Sequence, residues 1–397
     1  MPGTINSDLV FDDTARLGNG PGTHVLIIGV GKYAYGRDMA ESLVAGDLAQ
    51  LTSAPISAKA MADWFIRSFR NTAAPLATVS LLISEAQPNP YPSPVPGANC
   101  NYQVPPATLE QVKAATKRWA DRGESHHDNM AVFYFCGHGA SLSQQTCLLL
   151  EDFGNPDAAY DAGIDVNILR ATMKNSTAIR QAYLLDCCRT DADDIYQHEE
   201  RLGSRIVSVQ PLQGGRRVPA QQFVLFPTLD GEEAFGISNQ VSLFTRSIID
   251  AMDFAAADNS TGVWLTTTGR LLDSVDRLVK IRVPARLINR SKPNALDAVS
   301  FDFNEVDEPR LARSYVTISN LDFWGQVELQ CVDPSGSHPA QKKHSMHWAP
   351  ESCCPFALSE GRWQFHGVMQ TQPPPSVNSS ERILRAPVAY VTLEVVE

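Results

Sequence analysis

The sequence predicts an α/β fold: a mostly parallel sheet flanked by helices, followed by a small all-β domain. Three observations carry this. Apolar runs at 24–30, 130–136 and 183–185 stop abruptly at glycine or at a reactive side chain, which is how buried parallel strands end where they present function. Amphipathic helical stretches separate them, as parallel crossovers require. After residue 308 the apolar period switches to two, marking strands with one buried face.

Residues 1–22 are polar and punctuated by Gly and Pro, and read as an N-terminal extension. Residues 24–30, His-Val-Leu-Ile-Ile-Gly-Val, make the first central strand and run into Gly29 and Gly31. A helix over 57–69 places Met61, Trp64, Phe65 and Phe69 on one face. A strand follows at 77–83. Residues 87–106 are rich in Pro, Asn and Gly and are expected to form a long surface loop. Thr108 with Gln111 is a capping box for a helix through Trp119 that buries Leu109, Val112 and Trp119. The polar turn 121–129 carries His126 and His127 as solvated side chains. Residues 146–151 read as a short strand, and Asp165 caps a helix with Ile168, Leu169 and Met173 inward.

Residues 191–222 are polar, acidic at first and then carrying Arg201, Arg205 and Gly214-Gly215-Arg216-Arg217. This segment is not expected to pack, and such stretches are where proteolysis concentrates. A strand at 223–228 precedes a helix over 242–252 that buries Phe244, Ile248 and Met252, and a second over 266–279 with Leu271, Leu272, Val275 and Leu278. The runs at 315–318, 327–329, 363–365 and 388–396 then predict an antiparallel β domain over 308–397, arranged as a sandwich.

Two strand ends carry the chemistry. Residues 130–139, Met-Ala-Val-Phe-Tyr-Phe-Cys-Gly-His-Gly, end at His138 between two glycines that allow close backbone approach. Residues 183–190, Tyr-Leu-Leu-Asp-Cys-Cys-Arg-Thr, end at an acid and two thiols. Parallel strands in one sheet would bring His138 beside the Cys187–Cys188 pair. A thiol near an imidazole is the minimal kit of a cysteine nucleophile, because the thiolate attacks and a neighbouring His favours it.

These residues resemble the caspase-like peptidases, the clan of caspases and metacaspases. Cys-Gly-His-Gly is similar to the clan's His-Gly motif, and Asp186-Cys187-Cys188-Arg189 to the Asp-x-Cys form of metacaspases and bacterial relatives. His138 stands 50 positions before Cys188, the spacing recorded for the clan. The resemblance spans roughly 23–304. It implies a caspase-like peptidase domain over 23–307, with the loop containing Tyr33 after its first strand and the Phe-Thr helix at 242–252. It also implies a cysteine endopeptidase of protein substrates with Cys188 as nucleophile and His138 as its base. Backbone N–H groups of Gly139 and Cys188 would hold the oxyanion. Cys187, on the opposite strand face, reads as a buried small hydrophobe. Asp186 shares the Cys188 face and by resemblance is an S1 acid accepting Arg or Lys at P1. The acid that metacaspases carry at the start of the 57–69 helix is replaced here by Ser57, a departure that bears on strict basic P1 specificity.

The resemblance further implies cleavage of the 191–222 linker during activation, by the enzyme itself or by an activating protease, at Arg205, Arg216 or Arg217. Some metacaspases depend on Ca²⁺, and residues 151–165 hold Glu151, Asp152, Asp157, Asp161 and Asp165. Their spacing matches no EF-hand loop, so a solvated loop is expected and no cofactor is assigned. In the β domain, His344 and His347 lie three apart, but the adjacent Cys353 and Cys354 are poorly placed to chelate zinc together, and no metal ligand set is assigned.

The net charge of −11 argues against nucleic acid or an anionic membrane as main partner. No apolar run reaches the roughly 20 residues of a membrane span, and eight cysteines without small-domain spacing read as reduced thiols, so a cytoplasmic location is expected. The rival reading from another class is a catalytically silent caspase-like scaffold working through its β domain. A flavodoxin-like nucleotide-binding domain is disfavoured, since Gly29-Val30-Gly31-Lys32 lacks the full phosphate-loop pattern.

Overall fold

The computed structural model describes residues 3–36, 48–142, 145–157, 160–187, 190–191, 202–209, 219–227, 238–283, 293–308, 311–348, 351–370 and 374–396. The central sheet has seven strands: β1 (Leu9–Asp12), β2 (Thr23–Val30), β3 (Leu76–Ser84), β4 (Met130–Gly137), β5 (Arg180–Cys187), β6 (Gln221–Phe226) and β7 (Asn294–Leu296). Their order is β7-β6-β5-β4-β2-β3-β1. The five central strands are parallel, and the short edge strands β1 and β7 run antiparallel. Residues read as an N-terminal extension thus close one edge, with Val10 fully buried. Their alternation is too short to register as a strand by itself.

Helices cover both faces. On one side lie α1 (Ser53–Arg67), α4 (Leu243–Asp250) and α5 (Thr268–Arg282), packing Met61, Phe65, Ile248, Leu271 and Val275 on Ala182 and Leu184. On the other lie α2 (Leu109–Gly123) and α3 (Val166–Met173), packing Val112, Trp119, Leu169 and Met173 on Tyr183 and Leu185. Helix α1 starts at Ser53, a turn earlier than the apolar face suggests, and Gly29 explains how closely it sits: a Cβ there would lie 2.6 Å from the Ala58 Cβ. Thr108 and Asp165 cap α2 and α3 as expected, accepting from the N–H groups of Gln111 and Ile168. A π-helical turn, Ala251–Ala255, continues α4.

Two expected loops are structured. Within 87–106, Tyr91–Pro92 and Cys100–Gln103 join Gly3–Asn6 in a small sheet. Tyr91 is buried there because its hydroxyl has a partner, donating to Asp63 at 2.7 Å. Within the linker, 202–209 packs on the sheet, burying Leu202, Ile206 and Val207. Glycine makes this approach feasible, since a Cβ on Gly203 would lie 2.8 Å from the Cys147 sulfur and 3.1 Å from the Gly163 backbone. Ser204 N–H donates to the Gly163 carbonyl at 2.8 Å. The expectation of an unpacked linker is corrected here by three apolar side chains set among polar ones.

The C-terminal strands form two facing sheets, ordered Cys354–Leu358, Ala312–Ile318, Val388–Leu393 and Gln341–His344, Val327–Val332, Gly361–Met369, Ser380–Leu384. Val316, Ile318 and Val391 of one meet Leu329, Trp363 and Phe365 of the other, a sandwich core. One pair departs from the antiparallel expectation: Ala312–Ile318 and Val388–Leu393 run parallel, the strand before Val388–Leu393, Ser380–Leu384, lying in the other sheet.

The Ala312–Ile318 strand also turns Tyr315 outward against Phe254, rings stacked at 6.4 Å, so its second face packs on the larger domain. Beside it, Arg282 is only 2% exposed. It ion-pairs with Asp250 and, at 3.2 Å, with Glu351, and Nη1 donates to Ser247 Oγ at 3.0 Å. Tyr315 donates to Asp250 at 2.7 Å, and Arg246 pairs with Glu351. Burial works against the Arg282 charge, but Asp250, Tyr315, Cys353 and Glu351 outweigh it and hold the guanidinium protonated. Among the described residues, no helix is long and apolar enough to cross a membrane.

Arg282→Met removes the buried cation that Asp250 and Glu351 share, leaving Glu351 with Arg246 alone, and is expected to destabilise the chain by about 3–5 kcal/mol in urea unfolding. Separately, burial, with the Arg122 charge behind it, holds the His24 imidazole down at about 4, while an unfolded His titrates near 6.5. The native state therefore favours neutral His24. Its contribution is complete above pH 6.5 and is lost as pH falls toward 4, amounting to about 3 kcal/mol. His24→Gln should flatten that part of the stability–pH curve.

Candidate active site

Strands β4 and β5 pair without a shift over eight residues, from Arg180 opposite Met130 to Asp186 opposite Cys136 and Cys187 opposite Gly137. Just beyond the sheet, Thr190 stands opposite Ala140 and Asp191 opposite Ser141. The residues flanking 188–189 on both sides are therefore paired with the residues flanking 138–139. Cys188 itself lies outside the described residues.

His138 is half-buried at the end of β4. Its Nε2 lies 2.8 Å from the Ala49 carbonyl oxygen. A carbonyl only accepts, so Nε2 carries the proton and the neutral ring keeps its lone pair on Nδ1. The His138 backbone N–H donates to the Tyr33 hydroxyl at 2.7 Å, and the two rings lie 4.9 Å apart. Gly137 makes room for this arrangement: a Cβ there would lie 3.0 Å from the Tyr33 oxygen and 2.9 Å from the Phe135 ring. Gly139 continues into the Gly139–Leu142 strand opposite Leu148.

Asp186 is 6% exposed, on the sheet face covered by α1 and α4. Its Oδ2 collects three donors: the hydroxyl of Ser242, the hydroxyl of Thr245 at 2.5 Å and the Cys136 thiol at 3.5 Å. Oδ1 takes none of these. Ser242 is also the cap of α4, accepting from the Thr245 N–H at 3.0 Å, and its own N–H donates to Ser57 Oγ at 2.9 Å. The Tyr134 and Thr245 hydroxyls share a 2.6 Å hydrogen bond. Burial raises the Asp186 carboxyl above its usual range; the Ser242, Thr245 and Cys136 donors pull the other way without cancelling it. Cys136 is pushed well up by burial and by Asp186, so it stays a thiol. Ser57 is fully buried in the second turn of α1, not at its start.

Of the other sequence candidates, Cys187 is buried in the core on the opposite face from Asp186. Arg205 is exposed, but its neighbours Leu202 and Ile206 are core residues, so cleavage there requires the 202–209 segment to detach first. Arg216 and Arg217 lie outside the described residues. The acids of 151–165 are spread over separate tasks. Glu151 pairs with Lys32 at 2.7 Å, Asp152 accepts from the Leu109 N–H at the start of α2, and Asp165 caps α3. Among the described residues, only His126, His127 and Asp128 bring three potential metal-ligand atoms within 4.8 Å of one another. Cys354 points into the sandwich core, whereas Cys353 faces the Arg282 cluster.

Sequence reasoning named Tyr33 and the 242–252 helix but not what they touch. The Tyr33 hydroxyl, the Ala49 carbonyl, Ser242 and Thr245 come from distant parts of the chain. The one local signal was Ser242, a helix-capping residue type three positions before Thr245.

A family model described as a caspase domain matches residues 23–294. Uncharacterized protein y4kE of Sinorhizobium fredii is 24% identical over 257 residues, covering 59% of this chain and 70% of that protein. Among solved structures, a protein from Geobacter sulfurreducens aligns with a TM-score of 0.40 at 13% identity, over 72% of this chain and 95% of its own. Caspase-1 from Spodoptera frugiperda aligns with a TM-score of 0.41 at 10% identity, over 73% and 90%.

Thr245→Val removes one hydroxyl from Asp186 and the partner of Tyr134 at once. The expected loss is about 1–3 kcal/mol in urea unfolding, with Thr245→Ser recovering most of it.

Proposed function

The chain belongs to the caspase-domain family, and on that premise we propose that it is a cysteine endopeptidase with Cys188 as nucleophile and His138 as its base. The observation that supports this most directly is the unbroken β4–β5 register, continued by Thr190 opposite Ala140, which pairs the chain on both sides of Cys188 with the chain on both sides of His138.

In this reading the Cys188 thiol proton passes to His138 Nδ1 as sulfur attacks the scissile carbonyl. Backbone N–H groups of Gly139 and Cys188 hold the oxyanion. The imidazolium then protonates the leaving amine, the acyl-enzyme forms, and water activated by His138 releases the acid. The Ala49 carbonyl keeps the ring in the required tautomer and favours the imidazolium.

Asp186 is the S1 acid. With Oδ2 fixed by Ser242 and Thr245, Oδ1 receives the cation of P1 Arg or Lys, and the incoming charge offsets the burial that raises the carboxyl. Ser57 supplies a hydroxyl where a second acid would stand, so one carboxylate carries the preference. Activation is by cleavage at Arg216 or Arg217 rather than at Arg205, whose flanks are packed.

Wild type and Cys188→Ala, incubated with fluorogenic peptides ending in Arg, Lys or Asp, test this. Turnover of the Arg and Lys peptides by wild type alone is the expected result, with intact mass locating any self-cleavage at Arg216 or Arg217. Asp186→Asn should lower kcat/KM on those peptides about 30-fold or more, the loss of a buried charge partner. Equal turnover by Cys188→Ala would reject the nucleophile. No turnover by wild type, before or after nicking with trypsin, would favour the non-catalytic scaffold.

A further inference from the structure

A cleft of about 590 Å³ opens where the β domain meets the end of α1 and the π-helical turn. That volume is in the range of small-molecule sites, which concentrate at domain junctions. It lies apart from the candidate active site: Ser57, which touches the Asp186 cluster, and Arg67, which lines the cleft, are ten residues apart on α1, about 15 Å along its axis.

Four cations face the cleft: Arg67, Arg70, Arg313 and Lys343. Three acids also line it, and each has a partner of its own. Glu305 accepts both the N–H and the hydroxyl of Thr72, at 2.7 and 2.5 Å. Asp253 accepts from the Trp64 indole at 3.3 Å. Asp307, 90% exposed, stands 3.9 Å from Arg70. The other three cations have no acidic partner among the described residues. Arg67 donates to the Pro94 carbonyl. The Arg313 guanidinium lies 4.3 Å above the Phe254 ring. Lys343 donates to the Pro355 carbonyl with its ammonium 5.0 Å from both the Trp348 and Phe356 rings. Aromatic faces hold such cations in place without neutralising them, leaving their forward side for an anion.

This is unusual company in a chain of net charge −11. Partial burial also depresses the Lys343 ammonium, and an arriving anion would relieve that. We propose that this cleft is a binding site for a small, multiply charged oxyanion, an organic phosphate or a polycarboxylate, held by Arg313, Lys343 and Arg67 over the apolar floor of Phe254 and Phe356. The arginine forks match phosphate and carboxylate geometry alike.

The test is calorimetric titration of the full chain with ATP, pyrophosphate and citrate, against KCl at matched ionic strength. Saturable binding is expected. The Kd should rise at least tenfold in Arg313→Ala and in Lys343→Met, and be unchanged in Lys117→Ala, an exposed cation on α2. Tighter binding of the phosphates assigns an organic phosphate, and tighter binding of citrate a polycarboxylate. Circular dichroism of each variant establishes that it is folded, and Arg67→Ala replaces any that is not. Heats that KCl reproduces, an absence of saturation with all three probes, or equal affinities in wild type and folded cleft variants would overturn the proposal.

Discussion

The arrangement depends first on the register between β4 and β5. Side chains alternate faces along a strand, so a slip of one residue would turn Asp186 toward α2 and α3 and Leu185 toward α1 and α4. Such a slip is expensive because both faces are buried. Tyr183 and Leu185 fill one core, Ala182 and Leu184 the other, and their sizes are not interchangeable. The apolar runs that make these strands also fix the place where they stop. Catalytic candidates thus inherit their position from core packing and not from interactions of their own.

Asp186 illustrates the tension this creates. A carboxylate placed by register at a buried position loses hydration, which raises its proton affinity. The surroundings answer with two hydroxyls, a thiol and the N-terminal turn of α4, each favouring the charged form. Burial still prevails in the direction of the shift. That is the condition under which a cationic ligand group gains most from arriving, since it supplies the compensation that the protein leaves incomplete.

The sequence revealed the parts of the fold that rest on long periodic signals. The runs at 24–30, 130–136 and 183–185, the Thr108 and Asp165 caps and the switch to period two all reappear as elements. It was silent where pairing depends on distant partners. Nothing local in residues 9–12 announces an edge strand against β3, and nothing in 202–209 announces that Leu202, Ile206 and Val207 find a core once Gly163 and Gly203 allow close approach. The same holds at the candidate site. Cys188 and His138 stood out because each ends an apolar run, whereas the Ala49 carbonyl carries no side-chain signature, and the contacts of Ser242 with Asp186 and Ser57 are made across the fold.

One short segment, 242–255, links the remaining parts. At its start Ser242 and Thr245 hold the Asp186 carboxylate. In its middle Arg246 and Asp250 engage Glu351, Arg282 and Tyr315 across the junction with the β domain. At its end Asp253 and Phe254 line the cationic cleft. The α-helix runs on into the π-helical turn without a break, and its inward residues Phe244, Ile248 and Met252 are buried in the core. The β domain is accordingly no loosely tethered appendage: through Glu351 it bears on the same helix whose Ser242 and Thr245 hold Asp186.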